Sequence, residues 1–321
     1  MTAVVSVVVM LLLLWLALWT VVARDAFLAV AGFVVYGLLL SLVWVRLDGI
    51  DVALTEAAIG GGLSGALLLG AVGRLRGTEA QATAERSGAG TRAAALLLSV
   101  GVSAALVLCV LALPEDAPTL APQVVANLPA TQVANPITGV LLAFRALDTL
   151  LEAIVLVIAL IGVWSLAPDR FWGGRPGPRY TADPDGILAY LARVLPPIGV
   201  IVGIYLFWAG ADHPGGKFQS ATILAAMWML VQMAGLADAP RIDKRWVRAG
   251  IVVGPLAFVA VGLLGAWTAG AFLGYPDGFA KPMIVAIEVA LLPTLVLVLA
   301  LLLNGAPARN ADAAPARSAG R

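Results

Sequence analysis

The sequence predicts an all-α, polytopic integral membrane protein with about nine transmembrane helices. The composition of the chain and its recurring apolar runs carry this prediction. Hydrophobic residues make up 61% of the chain and charged residues only 12%, with a mean hydropathy of +0.97, whereas soluble domains are about 25% charged. Apolar runs of the length needed to span a bilayer, about 20 residues, recur along the whole chain.

The composition also excludes several classes of function. The formal net charge of +1 gives no reason to expect a nucleic-acid partner. The single Cys109 and single His213 exclude an intramolecular disulfide and a metal centre built on several Cys or His ligands. No phosphate-binding or dinucleotide-binding motif is present. We therefore expect no enzyme activity, no cofactor and no metal.

The apolar runs predict the helices in order. The first run has no Lys or Arg before it and is long enough to span a bilayer, so we interpret it as a retained helix and not as a cleaved signal. The candidate spans are residues 3–22, 26–45, 52–73, 93–113, 140–167, 187–209, 218–236, 247–270 and 282–303.

The connecting segments predict the orientation of these helices. With nine helices, most of the basic residues in the connections fall on one side of the membrane. Only Arg46, Lys217 and Lys281 fall on the other side. The positive-inside rule then places the N-terminus outside and the C-terminus in the cytoplasm.

Two breaks in composition divide the chain into modules. Residues 74–92 are rich in Gly, Ala, Thr and charge, and residues 167–186 contain four prolines, so both indicate flexible linkers. The predicted modules have three, two and four helices and a disordered tail, over residues 1–78, 93–167, 187–303 and 304–321.

The stretch from Asp48 to Ala66 combines acids with small residues. Gly61 and Gly65 form a GxxxG pair, which is typical of close helix contacts in membranes. Glu56 lies at or just inside the edge of a span, a costly position unless the carboxylate is paired, hydrated or functional. Asp51 lies at the water boundary, where it either belongs to an ion route or complements the helix dipole.

The fifth run carries three charged residues on one helix face. Asn135 and Pro136 mark the start of this helix. Arg145 and Asp148 are three residues apart and are expected to form a structural ion pair, while Glu152 lies about 6 Å deeper. Glu152, with Asp148, is a candidate for a proton or cation path, and the alternative is an extended interfacial ion pair.

Two further sites complete the candidate path. Glu288 lies between Pro282 and Pro293, where a kinked helix could leave a carbonyl free beside the carboxylate. Its alternative role is a hydrogen bond to a neighbouring helix. Asp212 and His213 lie in a tight outer turn that forms either a proton-collecting entrance or a simple solvated turn.

Three stretches resemble one family in order along the chain. DVALTEAAIGGGLSGALLL is similar to a module at the C-terminal end of the large subunit of Mrp antiporters, which is also a small subunit of membrane-bound hydrogenases. NPITGVLLAFRALDTLLEAIVL resembles the module that follows it. YLFWAGADHPGGKFQSATILAA resembles the signature of the MnhB-related subunit of Mrp antiporters.

The resemblance covers nearly the whole chain up to about Leu303 and implies a fused small-subunit chain of an Mrp-type Na+/H+ antiporter. It implies other Mrp-type subunits as partners, a monovalent cation such as Na+ and H+ as transported ions, and the inner (plasma) membrane as location. The chain departs from the family pattern at Ile50, where a Pro is usual, at Lys217, where a Gly is usual, and in the position of His213 beside Pro214.

Three functions remain open at this point. The first is a non-catalytic subunit of an antiporter whose acids contribute to the ion route, because a carboxylate in a medium of low dielectric can hold a proton near neutral pH. The second is an ion-translocating coupling subunit of a respiratory, hydrogenase-like complex, with the redox centre in a partner. The third is a scaffold whose acids only hold helices together.

Overall fold

The computed structural model describes residues 2–84, 88–114 and 118–309. It confirms the all-α, multi-pass architecture, and within these residues eight helices are long and apolar enough to cross a membrane. These spans are Val4–Val22, Ala26–Arg46, Ile50–Leu75, Ala89–Leu111, Ala146–Ser165, Ile187–Ala209, Arg245–Thr268 and Ala280–Asn304. The predicted span over residues 218–236 forms a helix of only 17 residues, Lys217–Met233. The orientation of the termini stays a prediction.

The helices are named in chain order, and two stretches widen locally into π-helix. They are α1 (Thr2–Val22), α2 (Ala26–Arg46), α3 (Ile50–Thr55), the π-segment π1 (Glu56–Leu63), α4 (Ser64–Ala84), α5 (Ala89–Leu111), α6 (Ala121–Thr131), α7 (Pro136–Gly139), the π-segment π2 (Val140–Phe144), α8 (Ala146–Ser165), α9 (Ile187–Ala209), α10 (Lys217–Met233), α11 (Arg245–Thr268) and α12 (Ala280–Asn304). A short 3₁₀ turn, Asp169–Phe171, and the strands β1 (Arg175–Pro176) and β2 (Pro307–Arg309) complete the described elements.

The N-terminal helices pack through glycines, as the GxxxG pair predicts. α2 lies against π1 and α4, and a Cβ on Gly37 of α2 would lie 3.1 Å from the backbone of Gly61. Gly65 faces Val34 in the same contact, with no room for a Cβ beside its methyl group. The two backbones therefore approach closely because neither helix carries a side chain at the crossing.

Gly37→Ala is expected to destabilise this contact by about 1–3 kcal/mol, because the added methyl meets backbone atoms that have no rotamer to change. Gly70→Ala in α4 is the matched control, since a Cβ there meets nothing within 4 Å. Thermal unfolding of the purified protein in detergent measures both. Equal midpoints for the two variants would contradict the close contact.

α12 is the centre of the fold. It is the most buried of the eight spans, with 61% of its most apolar stretch buried, and it packs against α8, α10 and α11. Fully buried residues recur along it every three or four positions. This spacing places them on one face of the helix, which the neighbouring helices cover. They are Ile284, Ile287, Leu291, Leu295, Val298 and Leu301.

One end of the bundle carries an ordered cap that corrects one of the linker predictions. The segment 167–186 was predicted to be a flexible linker, but its strand β1 pairs with β2 in antiparallel register. Arg175 Nη1 donates to the carbonyl of Ala239 at 2.6 Å, and Arg309 Nη1 donates to Asp238 Oδ1 at 3.1 Å. Long-range hydrogen bonds of this kind order a sequence whose local composition favours flexibility.

The same strand pairing shows that the first residues of the predicted disordered tail, up to Arg309, are ordered. Asn304 is the last residue of α12 and is buried, and β2 covers Pro307–Arg309. The rest of the predicted tail, residues 310–321, lies outside the described residues. The other predicted linker, 74–92, is also helical over much of its length, since α4 continues to Ala84.

Candidate functional site

The opposite end of the bundle is built around Asn135. Its side-chain Oδ1 accepts from the backbone N–H of Ile137 at 2.9 Å, so Asn135 caps α7 as the Asn-Pro sequence predicts. Its Nδ2 donates to the carbonyls of Gly210 and His213 at 3.2 and 3.0 Å. One side chain thereby fixes the start of α7 to the turn between α9 and α10.

Asp51 ties the third span to the same turn. Its Oδ1 accepts from the backbone N–H of Gly215 at 2.9 Å, and both carboxylate oxygens lie 3.4 Å from Asn135 Nδ2. Gln219 Nε2 donates to Thr55 Oγ1 at 2.9 Å on the next turn of α3. These bonds account for Asp51 as an anchor of the turn.

The turn itself requires glycine. Gly215 and Gly216 have φ angles of +146° and +141°, which residues with a Cβ rarely adopt. A Cβ on Gly215 would also lie 2.5 Å from the carbonyl oxygen of Leu206. This compact turn brings the start of α10 back into the bundle.

A cavity of about 260 Å³ lies beneath this turn, between α3, π1, α7, α8, α10 and α12. Its walls are apolar apart from a small set of polar and charged side chains. These are Asp51, Thr55, Thr138, Glu152, Lys217, Gln219 and Glu288.

Lys217 and Glu288 form a buried pair on the wall of this cavity. Lys217 Nζ lies 3.8 Å from Glu288 Oε1, and each side chain is only 4% exposed. The ammonium also lies 5.5 Å from the ring centroid of Phe218, within the range of a cation–π contact. The sequence assigns Lys217 to a connection on the outer side of the membrane, whereas in the structure it is the first residue of α10 and is buried.

Glu152 faces the same cavity from α8. It belongs to the cavity wall, as Lys217 and Glu288 do. Unlike Glu288, it is exposed on the surface of the chain. The structure therefore places two of the predicted path residues, Glu152 and Glu288, on one cavity wall with an ammonium that the prediction did not include.

A second cavity of about 130 Å³ lies on the other side of Glu288, and Asp212 and Lys281 also line it. Lys281 Nζ donates to both carboxylate oxygens of Asp212, at 2.7 and 2.6 Å. This bond holds the pKa of the Asp212 carboxyl below its usual range. Glu288 is thus shared by the two cavities, and the Asp212–Lys281 pair lies at the rim of the smaller one.

The remaining predicted residues lie away from the cavities. Arg145 and Asp148 form the predicted ion pair at 2.5 Å, but their side chains are 71% and 52% exposed on the outside of α8. The carboxylate of Glu56 lies against Gly60 and Gly37 on the α2 side of π1, not on the cavity wall. His213 is exposed in the turn, where its carbonyl accepts from Asn135.

Nothing in the sequence singles out Tyr275, in the loop before α12. Its hydroxyl donates to the carbonyl of Leu142 at 2.5 Å, inside π2, and burial raises its pKa. A second π2 carbonyl, that of Leu141, accepts from Thr149 Oγ1 at 2.6 Å. Both side chains hold carbonyls of the widened turn, a contact that no local pattern in the sequence indicates.

Taken together, the fold and this site define a multi-pass α-helical membrane protein with an ion pair buried between two cavities. Two family models match the chain. Residues 11–77 match the MbhD model, described as the D component of MBH, and residues 187–306 match the model described as a domain related to the MnhB subunit of Na+/H+ antiporter. The chain therefore joins an MbhD segment to an MnhB-related domain, as the resemblance implies.

Two curated proteins are similar to parts of the chain. It is 28% identical over 169 residues to a probable K(+)/H(+) antiporter A/B subunit of Rhizobium meliloti, covering 44% of this chain and 16% of that protein. It is 26% identical over 165 residues to an uncharacterized protein of Methanocaldococcus jannaschii, covering 44% of this chain and 60% of that protein. The chain thus spans less than two thirds of the length of both relatives.

Two solved structures share the fold. The structure of the Mrp complex from Dietzia sp. matches with a TM-score of 0.69 and 24% identity, over 95% of this chain and 35% of that chain. The membrane-bound sulfane sulfur reductase, an archaeal respiratory membrane complex, matches with a TM-score of 0.52 and 22% identity, over 66% of this chain and 98% of that chain.

The site lies where the two matched segments meet. Asp51 belongs to the MbhD segment, and Lys217 and Glu288 belong to the MnhB-related domain. Glu152 lies in α8, between the two matched segments. All three parts of the chain therefore contribute a charged residue to the wall of the larger cavity.

Proposed function

We propose that this chain is a non-catalytic subunit of a multisubunit monovalent cation/proton antiporter complex in the plasma membrane, and that its intramembrane carboxylates form part of the ion route. The Lys217–Glu288 pair, placed between two cavities with Glu152 facing the larger one, carries the proposal. Burying two charges is costly, and an apolar pair of similar volume would serve stability as well or better. Charged groups kept inside a membrane protein and facing a cavity are expected to serve transport.

The comparisons support the same function. The MnhB-related domain supplies both members of the buried pair, and the name of the Rhizobium meliloti relative describes part of a K(+)/H(+) antiporter. By this proposal the partners are other antiporter-type membrane subunits, and the transported ions are H+ and Na+ or K+. The three-part division into residues 1–78, 93–167 and 187–303 belongs to the proposal, with the cavity at the meeting point of the parts.

A second candidate is an ion-translocating coupling subunit of a respiratory membrane complex. The match of residues 11–77 to the MbhD model favours it, as does the shared fold with the sulfane sulfur reductase. In that case a partner subunit would supply the redox centre. The chain's own contribution, a proton or cation path through Glu152 and Glu288, would be the same in both complexes.

Purification of the tagged chain from native membranes, with identification of its co-eluting subunits, tests the proposal. We expect large antiporter-like subunits to co-elute, and inverted vesicles to show proton movement dependent on Na+ or K+ that is lost when the chain is deleted and restored by re-expression. Co-elution with redox subunits would favour the second candidate. Unchanged proton movement after deletion would contradict both, and assembly that needs the chain but none of its acids would identify a scaffold.

A further inference from the structure

The larger cavity contains an ammonium group that belongs to the protein itself. We infer that Lys217 is the resident cation of this cavity, so that the site passes protons between Glu288 and Glu152 and rejects Na+ and K+. This inference rests on the proposed function and specifies which ion that site carries. It follows from the position of Lys217 on the same cavity wall as the acids that a transported cation would need.

The first step is to account for the acids around the two cavities. Asp51 accepts a hydrogen bond from the backbone N–H of Gly215 at 2.9 Å, and Asp212 is paired with Lys281 at 2.6 Å. Glu288 and Glu152 remain; Lys217 Nζ lies 3.8 Å from Glu288 Oε1 and shares the wall of the larger cavity with both acids. One tethered ammonium therefore faces the cavity together with these two carboxylates.

The second step is the location of that ammonium. Its Nζ lies 3.8 Å from Glu288 Oε1, at the distance of an ion pair but beyond that of a hydrogen bond. Hard cations such as Na+ need several oxygen ligands at short range, and in the described ranges no three acidic, His or Cys side chains cluster closely enough to form such a site. An entering cation would have to displace an ammonium group that is tethered to the site.

The third step is the behaviour of a proton at the same place. A proton neutralises a carboxylate without needing a shell of ligands. The Lys217 ammonium can then pair with the other carboxylate, which is still charged. Glu288 lies on both cavities, and Glu152 lies on the larger cavity and on the chain surface. The two acids and the ammonium thus form a series of proton-binding groups between the Asp212–Lys281 rim and the surface of α8.

The test is equilibrium binding of radioactive Na+ to the purified native complex, compared among variants of this chain. Lys217→Met removes the charge but keeps the length, and is expected to add about one Na+ per chain by exposing the carboxylates. Lys217→Arg, the matched control, is expected to bind no more Na+ than the wild type. The double variant Lys217→Met with Glu288→Gln is expected to lose the added ion.

A Lys217→Met complex that binds no additional Na+ would overturn the inference, as would added binding that persists in the double variant. If Lys217→Met does not assemble, infrared difference spectra of the wild-type complex decide. A Na+-induced carboxylate band that disappears in Glu288→Gln would overturn the inference, and its absence supports it. Because binding is measured without transport, a complex that fails to exchange ions would contradict the proposed function and leave this result intact.

Discussion

Replacing Lys217 by Met is expected to lower the stability of the folded protein by about 3–5 kcal/mol, the largest effect of any single change considered for this chain. The substitution leaves Glu288 only 4% exposed and without its cation. A buried carboxylate without a partner must either stay charged at high cost or take up a proton. Thermal unfolding of the purified complex in detergent, followed at neutral pH, measures the loss.

A double variant shows whether the loss of stability belongs to the ion pair or to each side chain separately. Lys217→Met combined with Glu288→Gln removes both charges together and is expected to recover most of the lost stability, because neither partner is left alone. Lys217→Arg keeps the charge and is expected to cost less than Lys217→Met. Additive losses in the double variant would show that the two residues do not act as a pair.

Replacing Glu152 by Gln is expected to reduce cation-dependent proton movement by about tenfold or more while the complex still assembles. Glu152 faces the cavity but is exposed on the surface of the chain, so the neutral amide should be tolerated structurally. Proton movement in inverted vesicles, read with a pH-sensitive dye, measures the effect. The stoichiometry of the subunits in the same preparation reports on assembly.

Glu56→Gln is the matched comparison, because it makes the same chemical change in another intramembrane acid. Its carboxylate lies against Gly37 and Gly60, away from the cavity wall. We expect a smaller loss of proton movement than in Glu152→Gln. An equal or larger loss would indicate that Glu56 also belongs to the ion route.

Much of the fold could be predicted from local patterns. The apolar runs identify the spans because the bilayer requires a minimum helix length. Asn135 followed by Pro136 gives the start of α7, and the Gly61 and Gly65 pair gives the contact with α2, because both rest on sequence-local geometry. The ordered structure of residues 167–186 could not be predicted from local patterns, since the pairing of β1 with β2 joins residues that are far apart in the chain.

The site could be predicted only in part, for the same reason. Glu152 and Glu288 stand out in the sequence as acids within apolar runs, but the sequence does not say which helix faces meet. Glu56 stands out equally and faces elsewhere. The sequence assigns Lys217 to the outer connection because it precedes the predicted span over residues 218–236, and only the packing of the start of α10 into the bundle reveals that it is buried.

The shortness of α10 has an electrical consequence. Its 17 residues span about 25 Å, less than the roughly 30 Å of the hydrocarbon layer, so α10 alone cannot reach both boundaries of that layer. Under the proposed function, charge that shifts among Lys217, Glu288 and Glu152 crosses part of the membrane potential, which does work of about 2.3 kcal/mol per elementary charge for each 100 mV crossed in full. The membrane voltage, together with the ion gradients, is then expected to shift the protonation of these groups.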